Sequence, residues 1–109
     1  MITAHLYLLQ RLTALIMAPL VLGHIAVMIY AVQGGLSAAE ILGRTQGSLF
    51  WALFYGLFVV AVSVHAAIGL RTILFEWGRL SGTLLDAISW FICVGLLWLG
   101  LSSVYAVTS

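Results

Sequence analysis

Two histidines, His24 and His65, stand inside long apolar stretches of the chain, where an ionisable side chain is costly to bury and normally faces a partner, a cavity or a cofactor. A neutral imidazole can coordinate a metal through one ring nitrogen while the other donates a hydrogen bond, so it is a natural axial ligand for a haem iron. The same side chain can equally do no more than bond a neighbouring helix, and residue type alone leaves both readings open. The surroundings of His65 favour the first. On a helix, Ala61, His65, Gly69 and Thr72 lie along one stripe, with Glu76 about three turns further on nearly the same face. Small residues around an imidazole leave clearance for a flat macrocycle standing edge-on, although this spacing also serves two helices that simply pack closely.

The elements that position these histidines follow from composition. The chain has 109 residues, of which 64% are hydrophobic and 6% charged, too few polar side chains to cover a globule in water. Uncharged runs at 12–32, 48–70 and 87–107 each supply about 30 Å of helix, the thickness of a bilayer's hydrocarbon core. The expected fold is an all-α membrane protein: one membrane-anchor domain over 1–109 with spans at about 12–32, 48–74 and 84–107, arranged up-down-up. With no room for a separate soluble domain, any large catalytic unit belongs to a partner chain, and this bundle is expected to be part of a larger heteromeric one. The first apolar segment is too long for a signal peptide, follows no basic run and precedes no small-residue cleavage pattern, so it reads as mature structure. Cys93 lies alone within the third span, which offers neither a disulfide framework nor a cysteine metal site; packing is its default role. A net charge of +1 lacks the basic patch that nucleic acid requires.

Arginines orient the spans. Arg11, Arg71 and Arg79 flank one face and Arg44 the other, so the N-terminus and the second loop are expected on the cytoplasmic or matrix side. Between the first two spans, residues 37–43 read as a short interfacial helix with Ser37 as its cap and Glu40 at its third position. The run 78–82 reads as a tight turn, with Asp86 expected in the first turn of the next helix, where a carboxylate suits the positive dipole end. Pro19 is expected to kink the first span, and Ser89, Ser102 and Ser103 to bond carbonyls of their own helix.

Two segments resemble a known family. The stretch Ser63-Val64-His65-Ala66-Ala67-Ile68-Gly69-Leu70-Arg71-Thr72-Ile73-Leu74-Phe75-Glu76-Trp77 resembles the membrane anchor subunits of succinate dehydrogenase and fumarate reductase, in which a His-x-x-x-Gly segment closes the second of three helices. Gln10-Arg11-Leu12-Thr13-Ala14 looks like the Arg-x-Thr-Ala opening of the first helix in the same subunits. With the three-span layout, the resemblance covers nearly the whole chain. It implies a haem b held between two membrane subunits with His65 as axial ligand, a quinone site near the inner surface, and electron transfer between an iron–sulfur subunit and quinone. The partners it implies are that iron–sulfur subunit, a flavoprotein subunit and a second membrane anchor subunit. The setting it implies is a respiratory complex of the tricarboxylic acid cycle in a bacterial inner or mitochondrial inner membrane. Arg11 matches the arginine that lies by the quinone or the haem propionates. Glu76-Trp77 stands where many relatives carry Asp-Tyr; tryptophan can donate through its indole N–H but cannot relay a proton as a hydroxyl does.

The resemblance leaves two readings for His24: two-haem relatives use a first-helix His for a second, outer haem, whereas one-haem relatives often have no equivalent. Counted from the outer loop, His24 lies roughly 12 Å deep and His65 roughly 26 Å, whereas counted from Arg11 and Trp77 the two come level. The loop glycines mark the outer edge more clearly, so the first measure is preferred and a second haem stays open. His5 is expected at the headgroups. A non-redox structural or assembly subunit, whose histidines only bond neighbouring helices, is the alternative from another class. A transporter would call for an intramembrane carboxylate or a broken helix, and the sequence displays neither.

Overall fold

The computed structural model describes residues 4–109, which form four helices: α1 (Ala4–Gly34), α2 (Ala38–Thr45), α3 (Leu49–Glu76) and α4 (Gly82–Thr108). Three of them, α1, α3 and α4, are long and apolar enough to cross a membrane. The molecule is a rod of 47 × 22 × 22 Å, close to the thickness of a bilayer with its headgroups (about 40–45 Å). The helices overrun the uncharged stretches, and α1 does so most, beginning about two turns before residue 12 and passing unbroken through Pro19.

α3 is the middle of the bundle, packed against α4 on one side and α1 on the other, while α1 and α4 meet little. Small side chains permit this. Ala61 and Ala67 on α3 are buried with Ile68, and Leu85 is their buried counterpart on α4. Higher up, a Cβ at Gly100 would collide with the side chain of Val59, so glycine is what lets α4 approach α3 there. The large apolar residues point the other way: Leu15, Leu22, Phe91, Trp98 and Tyr105 are each more than two-thirds exposed. In water such a surface would be untenable; against acyl chains or other helices it is the natural outside.

Local chemistry sets the helix ends. α1 stops at Gly35, whose φ of 116° is open to glycine and closed to most other residues. Ser37 caps α2, accepting from the Glu40 N–H at 3.1 Å and donating to the Glu40 carboxylate at 2.8 Å. Ser48 caps α3 by accepting from the Trp51 N–H at 3.2 Å. The α3–α4 turn reverses through Arg79, whose φ is 57°, and α4 begins at Gly82 behind Ser81. This start corrects the expectation for Asp86. It falls at the fifth helical position, beyond the reach of the terminal dipole, and instead pairs with Arg71 of α3 at 2.7 Å. Ser89 and Ser103 do bond their own helix, at the carbonyls of Leu85 and Leu99.

At the opposite end, α2 and the residues after it seal α4. The last carbonyls of a helix have no partner within it. Thr45 Oγ1 donates to the Val107 carbonyl at 2.6 Å, Gly47 N–H to that of Thr108 at 2.7 Å, and Gln46 Nε2 to that of Ser109 at 3.1 Å. Arg44 folds back to the Gly35 carbonyl at 2.8 Å and sits over the Tyr30 ring. α2 is therefore a bracket joining the end of α1 to the end of α4.

Packing at Gly100 gives a direct check. Gly100→Ala is expected to cost about 1–3 kcal/mol by overpacking, read as a lower unfolding midpoint in detergent. Gly56→Ala, whose Cβ would meet nothing within 4 Å, is expected to be neutral or slightly stabilising, because alanine is the better helix former.

Candidate functional site

His65 lies on the face of α3 turned toward α1, half-buried, and three hydrogen bonds gather around it. Its Nδ1 is 3.1 Å from Thr13 Oγ1. The Thr13 hydroxyl lies 2.9 Å from the Gln10 carbonyl, to which it donates. The Gln10 side-chain amide in turn donates from Nε2 to the His65 carbonyl at 3.2 Å. Gln10 and Thr13 are three residues apart on one face of α1, so the two side chains bracket a single turn of α3. Thr13 is only 5% exposed. Among the described residues, nothing bonds His65 Nε2.

Gly69 opens space one turn along from His65, and the Gln10 amide enters it: a Cβ at Gly69 would lie 3.4 Å from Gln10 Nε2. The clearance expected beside the imidazole thus takes a side chain of this same protein on the α1 side. The other amide atom, Gln10 Oε1, is enclosed and has no hydrogen-bond donor among the described residues. Exchanging the two amide atoms would set an oxygen against the His65 carbonyl, so the orientation is fixed. An enclosed acceptor left this way costs about 1–3 kcal/mol until a donor reaches it.

His24 lies on the same face of α1 as Thr13 but further toward α2. Its ring meets Phe58 at 5.3 Å and Tyr55 at 6.2 Å, both edge-on. No hydrogen bond from the described residues reaches either ring nitrogen. The imidazole opens on an apolar groove of about 640 Å³ that also touches Thr45, Tyr55, Ser63, Gly100 and Ser103. Because Thr13 faces His65 and His24 faces Phe58, the spacing along the two helices sets the histidines roughly 10 to 16 Å apart in depth. His24 is the one nearer the α2 end.

Arg11, Glu76 and Trp77 stay apart from this cluster. Arg11 projects from the far side of α1 relative to Thr13, exposed, with its guanidinium 3.4 Å from the Tyr7 hydroxyl and over that ring. Glu76 ends α3, exposed, about 16 Å along the axis from His65, and Trp77 after it is 83% exposed. All three lie toward the end that carries the α3–α4 turn. Near that end, a groove of about 390 Å³ runs between α1 and α4, lined by Leu6, Leu9, Arg71, Asp86, Trp90 and Cys93 among others. The described residues hold no cluster of three or more His, Cys, Asp or Glu side chains that could bind a metal ion alone. Isolated imidazoles such as those of His24 and His65 suit a metal that brings its own equatorial ligands, as a porphyrin does.

Sequence reasoning placed Gln10 and Thr13 in a motif but gave only Arg11 a role. The available signal was helical periodicity: Thr13 and His24 share a face of α1, the face that must meet α3 if His65 is to be reached.

An integral membrane protein with three spans and an imidazole in each of two facing helices is the class that fold and site define. The model of the succinate dehydrogenase/fumarate reductase transmembrane subunit family matches residues 1–102, and the chain belongs to that family. It is similar to the succinate dehydrogenase hydrophobic membrane anchor subunit of Archaeoglobus fulgidus, 40% identical over 70 residues, or 64% of this chain and 59% of that one. The match thus spans less than two-thirds of that relative's length. No solved structure matches.

The fit at Gly69 can be tested by size. Gly69→Ala is expected to be tolerated, since its Cβ would make an ordinary contact with Gln10 Nε2. Gly69→Leu is expected to expel that amide and lower stability by about 1–3 kcal/mol, measured by unfolding in detergent.

Proposed function

We propose that this chain is the membrane anchor of a succinate:quinone oxidoreductase, and that His65 is an axial ligand of a haem b shared with a second membrane anchor subunit. In this reading an iron–sulfur subunit and a flavoprotein subunit dock at the end bearing Arg11, Glu76 and the α3–α4 turn. That end faces the cytoplasm of a bacterium or the mitochondrial matrix, in keeping with the arginine distribution. Oxidation of succinate belongs to the partners and is the step that joins the complex to the tricarboxylic acid cycle; this chain serves electron transfer to or from quinone.

The observation that carries the reading is the condition of the His65 ring. Within an apolar span, one of its nitrogens is engaged by Thr13 at 3.1 Å, and the other has no partner among the described residues. Ligating histidines characteristically have one nitrogen held by a protein group and the other on the metal. A haem b, when bound, supplies a one-electron centre whose potential the protein tunes through its ligands and their hydrogen bonds. His65 would hold it, with Gln10 and Thr13 fixing the ring between α1 and α3. His24, whose ring no hydrogen bond from the described residues reaches and which is set nearer the α2 end, is the candidate ligand of a second haem.

Quinone is assigned to the opposite end. Arg11 supplies a permanent positive charge for a quinone oxygen or a haem propionate. Trp77 can donate its indole N–H to a quinone carbonyl, and Glu76 beside it is the carboxylate able to exchange a proton with the aqueous side.

A visible spectrum of the purified complex tests the assignment. The parent is expected to show a reducible b-type Soret band, and His65→Ala to lose it; a spectrum unchanged by that substitution removes His65 as ligand. An absent band in the parent leaves a structural or assembly subunit whose histidines only bond helices. His24→Ala should halve the haem-to-protein ratio if there are two centres and leave it unchanged if there is one.

A further inference from the structure

The geometry points to Thr13 as a positioning residue that fixes the His65 tautomer and, through the resulting hydrogen bond, sets the reduction potential of the iron that His65 would hold. The inference rests on the haem-ligand reading above and adds to it a residue on a different helix.

The argument is a proton count. A threonine hydroxyl carries one hydrogen and two acceptor lone pairs. The Gln10 carbonyl lies 2.9 Å from Thr13 Oγ1. A carbonyl has no proton to give, so this contact, the shorter of the two that Thr13 Oγ1 makes, is a hydrogen bond with the hydroxyl hydrogen directed at it. With that hydrogen spent, Thr13 Oγ1 can only accept from His65 Nδ1, 3.1 Å away. His65 Nδ1 therefore carries the ring proton, and the lone pair of the neutral imidazole is on Nε2, the nitrogen with no partner among the described residues. The opposite tautomer would put the Nδ1 lone pair against the oxygen lone pairs unless the hydroxyl hydrogen left the Gln10 carbonyl, the nearer of its two acceptors.

The backbone makes this arrangement stiff. The acceptor of the Thr13 proton is a main-chain carbonyl of α1, and the Gln10 side chain simultaneously holds the main chain of His65 at 3.2 Å. Helix and ring are thus located relative to each other by two bonds that run in opposite directions between α1 and α3. A hydrogen bond accepted from the Nδ1–H increases the basicity of Nε2, favours the ferric over the ferrous state and lowers the potential of the centre.

The test uses the complex purified with its partner subunits and compares Thr13→Val, which keeps the shape and removes the hydroxyl, with Thr13→Ser, which keeps the hydroxyl. Haem content is measured beside the reduction midpoint and the electron paramagnetic resonance of the oxidised centre. The expected result is a midpoint shifted upward in Thr13→Val with altered g-values, together with a 10- to 100-fold weaker hold on haem, while Thr13→Ser remains parental in all three. A parental midpoint and spectrum in Thr13→Val, or a downward shift, overturns the proposal. Loss of haem in both variants also overturns it, since packing of the methyl group would then be the cause. Failure of the underlying reading is separable: in that case the parent complex has no His65-dependent band at all.

Discussion

Inside hydrocarbon no water is available to complete a hydrogen bond, so each polar atom in a spanning helix must find its partner within the protein or carry the cost of lacking one. The cluster of Gln10, Thr13 and His65 is where this constraint acts most strongly here. It supplies the polar ties between α1 and α3, two helices that otherwise meet through small and apolar side chains. The same rule makes the exceptions informative. His65 Nε2, both nitrogens of His24 and the enclosed Gln10 Oε1 have no partner among the described residues. These atoms have capacity left for something beyond the chain.

The remainder of the fold serves the position of α3. That helix is the shared wall, and its small residues admit α4 on one side while His65 and Gly69 take α1 on the other. Few apolar residues are buried within the chain, and the large ones face outward. The bundle is consequently an incomplete layer, stable as part of a membrane and suited to lie against further helices, which accords with a family of subunits.

Much of this was legible in the residues and some of it could not be. Three helices were evident because lipid imposes a length and an absence of charge that few other settings require. The cap of α2 was evident because Ser37 and Glu40 act within a single turn. Features that depend on two helices were not. Asp86 was assigned to a helix dipole from its distance to a turn, yet its partner is Arg71, fifteen positions earlier on α3. α2 runs on to Thr45 because Thr45 and Gly47 answer carbonyls of α4, which no local pattern announces. Two depth measures for the histidines disagreed because α1 begins at Ala4 and α3 continues to Glu76; only the register between those helices places His24 beside Phe58 and His65 beside Thr13. The roles of Gln10 and Thr13 likewise depend on that register.

The bracket formed by α2 has a consequence for how the chain is made. Its donors, at residues 45 to 47, emerge from the ribosome well before the carbonyls at 107 to 109 that they answer. During insertion the first hairpin must therefore hold without these bonds, its loop tied only to α1 through Arg44. Arrival of the last turn of α4 closes the latch, so the topology is secured from the tail backward, and damage to that final turn would loosen a loop made long before it.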